Sequence, residues 1–211
     1  MNNPILKNIK NRRNNIRFES TPINEEKLNA VLESGRWAPS WTNSQPWKFI
    51  VIKDKDTKEK LSVVSSSFFA LSIREAPVCI AVCVNPKKDP FHFIEDGTTA
   101  TQNMTLAAQS IGLGTAWIGV FSLNNEREST ERKMKEILKI PKDWRLISIL
   151  PLGVAKFKET KTRVNLSNIV DTNSFKSREE EKKKEEIKEI KSSESSKILP
   201  SSAREIEPSL V

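Results

Sequence analysis

Residues 38–47 read APSWTNSQPW and lie between a short amphipathic segment and the apolar run KFIVI at 48–52. Pro39 and Pro46 each fix φ and stiffen this stretch. Ser40, Thr42, Asn43 and Gln45 bring short hydroxyl and amide groups that both donate and accept hydrogen bonds. Trp41 adds an aromatic face beside them. A stiff loop with converging neutral polar groups suits a planar heterocycle that carries several carbonyls and ring nitrogens. Pro46 and Trp47 read as structural, with Trp47 expected in the core.

Other residues offer complementary chemistry. Arg12 and Arg13 are adjacent, and guanidinium forks match phosphate oxygens bidentately. The same pair also suits a solvated basic helix end. Lys161 and Arg163 are two apart, so on an extended segment both point the same way. They can close over a phosphate or be ordinary loop charge. Trp117, Ile118 and Gly119 offer backbone groups, and a glycine permits close approach of a ligand. The bland alternative is a buried strand bonded to its neighbours. His92 and Asp96 are four apart, on one face of a helix start. They form either a local acid–base pair or an N-terminal helix ornament, an end that suits aspartate. His92 is given no catalytic role.

The chain has one histidine, no tyrosine and two cysteines. That supply gives no metal-site spacing. Nucleophile-elbow and phosphate-loop motifs are missing from the sequence. Gly112-Leu113-Gly114 lacks the third glycine of a dinucleotide fingerprint. A sequence so poor in acids, bases and nucleophiles is a binding module or an enzyme whose cofactor carries the chemistry. No residue is therefore assigned as catalytic, and no metal is expected.

The loop at 38–47 resembles the flavin loop of the nitroreductase family of FMN-dependent oxidoreductases. Arg12-Arg13-Asn14 with Arg17-Phe18 resembles that family's N-terminal phosphate signature. HFIEDG at 92–97 resembles the opening of its long central helix, and GLGTAWIG at 112–119 its glycine and tryptophan segment beside the flavin ring. LPLG at 150–153 and KTR at 161–163 resemble its closing strand and second phosphate pair. The motifs follow the family's order over residues 8–172.

The resemblance implies an α+β sandwich, with a mostly antiparallel sheet flanked by helices, in a homodimer. It implies FMN as cofactor, NADH or NADPH as reductant, and a small-molecule acceptor such as a nitroaromatic or quinone, reduced in a ping-pong cycle with flavin N5 carrying the hydride. FMN would be held by Arg12, Arg13, Asn14, Pro39, Ser40, Trp41, Thr42, Asn43, Gln45, Trp117, Ile118, Gly119, Lys161 and Arg163, the loop coming from the partner subunit. Asp96 would be structural at the dimer interface. One position departs from the pattern: the family usually has a base four residues after the first arginine, and here that residue is Ile16, with Arg17 beside it as a possible replacement. Relatives that break carbon–halogen bonds or fragment the flavin are an alternative, although the short stretch from Ser65 to Arg74 leaves little for their lid. A non-catalytic flavin-binding or interaction protein is another.

Composition separates a core from a tail. The chain has 211 residues and a formal net charge of +8. Residues 174–211 carry nine Lys/Arg and nine Asp/Glu with many serines, so the net charge falls on residues 1–173. The tail cannot bury enough apolar surface to offset the entropy of ordering it. The expected division is a flavin domain at 1–173 and a charged tail at 174–211, partly helical over 179–191. The basic core suits anionic cofactor phosphates, and no nucleic-acid motif accompanies it. Cys79 and Cys83 lie on one face of a strand, roughly 13 Å apart, too far for a disulfide. Buried thiols, no membrane-length apolar run and no leader-like start suggest a cytoplasmic protein.

The elements that must position these residues follow from periodicity. A helix is expected over 8–17, presenting Arg12 and Arg13 at its end. Another runs from an Asn24 N-cap to a Gly35 cap, and a third starts from a capping box at 56–59. Residues 78–84 are a continuous apolar run and so a buried strand. A long helix spans 92–111 with Gly112 as its cap. A short strand at 115–120, an exposed helix over 126–138 stopped by Pro141, and a buried strand at 146–154 complete an α/β or α+β sandwich.

Overall fold

The computed structural model describes residues 3–65, 67–123, 128–157, 160–175 and 187. The expected helix over 179–191 lies outside the described residues, except Ile187. The chain forms two compact units, Met1–Lys161 and Thr162–Val211. In the described part of the second, a 3-10 turn at Leu166–Asn168 is flanked by exposed chain.

The first unit is built on an antiparallel sheet. Its strands are β1 (Trp47–Ile52), β2 (Val78–Val84), β3 (Gly114–Thr115), β4 (Ile118–Gly119) and β5 (Arg145–Gly153). Their order is β1-β2-β5-β3, with β4 also on β5, and every ladder is antiparallel. The helices are α1 (Pro4–Asn11), α2 (Glu25–Arg36), α3 (Lys55–Val64), α4 (Ser67–Glu75), α5 (Phe93–Ser110) and α6 (Thr130–Ile137). The architecture is the expected α+β sandwich.

Both faces of β2 are covered, which is why it reads as an unbroken apolar run. Val78, Ile80 and Val82 join Leu28, Val31, Met104 and Ala108 on the side of α2 and α5. Cys79, Ala81 and Cys83 join Leu61, Ile73 and Met134 on the side of α3, α4 and α6. Both cysteines are buried free thiols, and burial pushes each up to about 12.

β5 carries a bulge. Val82 pairs with Ser148 but Cys83 pairs with Leu146, so Ile147 is skipped. The extra residue reverses the alternation beyond it. Leu150 and Leu152 face α5, whereas Leu146 lies in the opposite cluster.

Several local expectations are corrected. α1 starts from an Asn3 cap and ends at Asn11; beyond Arg12 the chain is extended, because Asn15 N–H bonds the Thr115 carbonyl at 2.8 Å. Gly35 is not a left-handed cap but lies inside α2, packed on α5. A Cβ there would stand 3.0 Å from both Met104 Cγ and Phe49 Cζ. The cap of α3 is Asp54, two residues ahead of the expected box, accepting from Thr57 N–H at 2.7 Å. Gly112 does close α5, at φ +79°. The strand at 115–120 is broken into β3 and β4, and α6 is not wholly exposed, since Glu131, Met134 and Lys135 are buried. Trp47 is half-buried at the start of β1, outside both core clusters, while Pro46 is buried.

Close contact of α5 with the bulge depends on Gly97. A Cβ there would stand 2.6 Å from Ile147 Cγ1 and 3.0 Å from Val84 Cγ1. Gly97→Ala is expected to destabilise the protein by about 1–3 kcal/mol through overpacking, although alanine is the better helix former by about 1 kcal/mol. Urea unfolding measures the difference.

Candidate functional site

The first cluster forms along the edge of the sheet. In the antiparallel register, Gly114, Thr115, Ile118 and Gly119 face Gly153, Leu152, Ile149 and Ser148 of β5. Ala116 N–H bonds the Pro151 carbonyl and Val120 N–H that of Ile147, both at 3.2 Å. The register never slips between β3 and β4, but Pro151 has no N–H to return a bond to Ala116. Hydrogen-bonding direction alternates along such a ladder. The N–H groups of Trp117 and Gly119 therefore point away from β5.

Trp117 N–H meets the Asn14 side-chain oxygen at 3.3 Å, and Arg12 Nη1 donates to that oxygen at 3.2 Å. Arg12, Asn14, Trp117 and Gly119 thus share one partly open edge. Gly119 is exposed, and a Cβ added to it would meet nothing within 4 Å. Ile118 has its side chain in the core. A cavity of about 440 Å³ opens beside Gly119, lined by Phe69, Phe121, Ser122, Ser129 and Thr130 among others, with no charged side chain among the described residues.

Arg13 is parted from Arg12 by the extended backbone, whose successive side chains alternate. It lines a different cavity, of about 550 Å³, with Asn15, Gln109 and Thr160. Its Nη1 donates to the carbonyls of Lys10 and Arg12. Arg17 is engaged elsewhere: its Nε lies 2.9 and 3.1 Å from the two oxygens of Glu75, and Phe18 N–H adds a bond of 3.0 Å. Burial works against the Glu75 carboxylate, but these donors hold it below the ordinary range. Arg17 is thus committed to Glu75, next to the apolar Ile16. Lys161 ends the first unit; Arg163 belongs to the second, where its Nη1 donates to the Thr162 carbonyl at 2.9 Å.

The second cluster is the loop after α2. Trp41–Asn43 form a 3-10 turn, and Thr42, Asn43 and Gln45 have positive φ of 48°, 59° and 47°. Non-glycine residues persist there only when their surroundings over-determine them. Ser40 Oγ accepts from Gln45 N–H at 3.0 Å, and Thr99 Oγ1 donates to the Pro39 carbonyl at 3.1 Å. Asp96, in the first turn of α5, accepts from Trp41 N–H at 3.0 Å and from Ser44 Oγ at 3.2 Å. Trp41 stacks on His92, with ring centroids 4.2 Å apart.

Asp96 therefore finds its partners within its own chain. Burial raises its carboxyl above the ordinary value, and the nearby Asp89 charge adds to the rise. Burial also acts on Asp89, but the N–H groups of His92 and Phe91 overcome it and lower that carboxyl. Asp89 Oδ2 and His92 Nδ1 are buried without a hydrogen-bond partner, and Nδ1 lies 3.7 Å from Asp89 Oδ1. Sequence reasoning missed Glu75 and Asp89 and the attachment of the loop to Asp96. Asp96 had a local signal, its place in a helix first turn, but Glu75 meets Arg17 across 58 positions and had none.

The wall beside Gly119 is braced by Glu131, fully buried, against Arg145 at 2.7 Å. Glu131 also accepts from Ser122 N–H and Leu146 N–H, while Arg145 donates to the Ser122 carbonyl and lies over Phe121.

The comparisons with known proteins agree with this geometry. The Nitroreductase family model matches residues 9–70 and 64–154. A protein of Archaeoglobus fulgidus, provisionally named NADH dehydrogenase/NAD(P)H nitroreductase, is 32% identical over 171 residues, covering 78% of this chain and 95% of the relative. FMN reductase [NAD(P)H] of Bacillus subtilis is 26% identical over 171 residues, covering 72% and 66%. Among solved structures, the FMN-dependent nitroreductase of Clostridium difficile superposes with a TM-score of 0.70 at 28% identity, covering 81% of this chain and 99% of that one. The chain belongs to the nitroreductase family.

The Glu131 brace makes a pH prediction. Burial opposes its charge, but Arg145 and the two backbone donors outweigh burial and hold the carboxyl below the ordinary 4.5. A lowered carboxylate stabilises the fold above the unfolded value, and that stability is lost as pH falls through the folded value. Wild-type unfolding free energy is expected to drop below about pH 4.5. Glu131→Gln should flatten this acid limb and lower stability at neutral pH by about 3–5 kcal/mol, because Arg145 loses its partner. Denaturant melts between pH 3 and 7 test this, on the order of five points sufficing.

Proposed function

We propose that this chain is an FMN-dependent oxidoreductase that takes electrons from NAD(P)H and passes them, in a separate half-reaction, to a flat uncharged acceptor such as a nitroaromatic or quinone. The observation that carries the reading is the line Arg12–Asn14–Trp117 on the same open edge as Gly119.

The residues present suit FMN. A guanidinium fork stands at one end, an amide oxygen at its centre, and an outward N–H at a glycine leaves room for a ring. Bound FMN supplies a two-electron hydride carrier. In our reading Arg12 and Asn14 hold the phosphate and ribityl end. Trp117, Ile118 and Gly119 present backbone against the ring, Gly119 giving the closest approach. Arg13 and Lys161 add positive charge from flanking chain. The cavity beside Gly119 takes the acceptor, and its Ser122, Ser129 and Thr130 hydroxyls suit carbonyl or nitro oxygens. Ping-pong exchange follows if reductant and acceptor share that cavity in turn.

The second half of the site belongs to a second copy. Pro39, Ser40, Trp41, Thr42, Asn43 and Gln45 are held against the start of α5, and in this reading they complete the partner's flavin site. Ile5, Leu6 and Ile9 are exposed along α1, an apolar stripe that suits burial against another copy. Two unpaired buried thiols support a reducing, cytoplasmic setting. Among the described residues no helix is long and apolar enough to cross a membrane.

An anaerobic visible spectrum of the protein with FMN, before and after NADH or NADPH, tests the core of the proposal. Saturable binding and bleaching of the flavin band are expected; absence of binding would overturn it. Arg12→Ala should weaken FMN binding by about 1.5–3 kcal/mol, the worth of a charged hydrogen bond, read by fluorescence titration. Unchanged affinity would remove Arg12 from the site. We further propose that residues 1–173 form the flavin domain and 174–211 a dispensable charged tail. Deleting residues 176–211 should leave solubility and FMN affinity intact.

A further inference from the structure

The flavin loop holds an uncommon conformation. Thr42, Asn43 and Gln45 all sit at positive φ, and no glycine interrupts residues 38–47. Isolated, such a loop would relax, so something outside it must hold it. Asp96 supplies that restraint. It is 4% exposed, and its two oxygens bond Trp41 N–H and Ser44 Oγ, at either end of the 3-10 turn. His92, one turn earlier at the start of α5, stacks beneath the Trp41 ring.

We infer that Asp96 is a positioning residue for the flavin site: it clamps residues 41–44 to the start of α5 in the strained shape that meets FMN, without touching FMN itself. The inference rests on the flavin reading proposed above. Pre-ordering is its physical basis, since a loop already fixed in the bound shape loses less conformational freedom when the ligand arrives.

The test uses full-length protein freed of flavin. Asp96→Ala is expected to weaken FMN binding about tenfold, the worth of the two bonds lost. It should also speed hydrogen exchange at the Trp41 amide before any FMN is added. Asp96→Asn should restore affinity to within about threefold, because an amide can accept from Trp41 N–H and donate to the Ser44 hydroxyl. Ser44→Ala removes one bond only and should give an intermediate loss, which keeps the test open if Asp96→Ala does not fold. If wild-type protein binds FMN and Asp96→Ala or Ser44→Ala binds it equally well, the inference fails alone. If Asp96→Asn is as impaired as Asp96→Ala and both merely melt earlier, Asp96 is a stability residue and the inference fails. Wild-type protein that binds no FMN overturns the functional reading and this inference together.

Discussion

The register of β5 is the constraint on which the sheet-edge half of the site depends. β5 pairs with β2 on one side and with β3 and β4 on the other. It therefore fixes both the middle of the core and the outer edge of the sheet. Alternating hydrogen-bond direction then decides which backbone groups of residues 114–119 are used inward and which look outward. A one-residue slip would turn the N–H groups of Trp117 and Gly119 toward β5 and close the edge to any ligand. Pro151 marks the ladder's weak point, and the chain crosses it without losing register because Ala116 still donates to the Pro151 carbonyl.

Charged groups brace the residues near that edge from two sides. Glu131 and Arg145 fix the turn after β4 through the Ser122 backbone and Phe121. Glu75, approached by Arg17, Lys156 and the Phe18 N–H, fixes the extended segment that carries Arg12 and Asn14. Each carboxylate is held below its ordinary range by several donors at once. Removal of one partner would leave a buried or half-buried charge with fewer donors, which is costlier than the pair is stabilising. Arg17 is spent on this brace, beside the apolar Ile16.

The loop at residues 38–47 is governed differently. Its stiffness comes partly from Pro39 and Pro46, but its shape comes from α5, whose first turn supplies Asp96 and whose cap residue His92 carries the Trp41 ring. The helix meets the sheet at Gly97, close to Ile147 of the bulge, and Thr101 Oγ1 lies 2.8 Å from Ser148 Oγ. The position of the loop is thereby tied to β5 as well, through a helix that only small residues allow to lie so near.

Much of this was legible in the residues. The apolar run at 78–84 identified the buried central strand, because a strand covered on both faces needs no polar alternation. Asn24 marked the start of α2, Gly112 the end of α5, and the five ordered motifs the family. Local rules failed where a distant partner overruled them. Gly35 looked like a cap but is a contact point for Met104 and Phe49. Residues 13–17 looked helical, but Asn15 N–H bonds the Thr115 carbonyl and the Arg17 carbonyl accepts from Lys156 N–H instead. Composition and short-range pattern by themselves left an α/β or α+β sandwich that is either a binding module or an enzyme reliant on a cofactor, because these follow from side-chain type and spacing; the α+β sheet, the FMN and the residues to suspect came from the resemblance that the ordered motifs carry. Only the tertiary structure decided that Arg12 and Arg13 part company, that Arg17 belongs to Glu75, and that Asp96 holds the loop, because each depends on which residues, far apart in the chain, the β5 register and the packing of α5 bring within hydrogen-bonding distance.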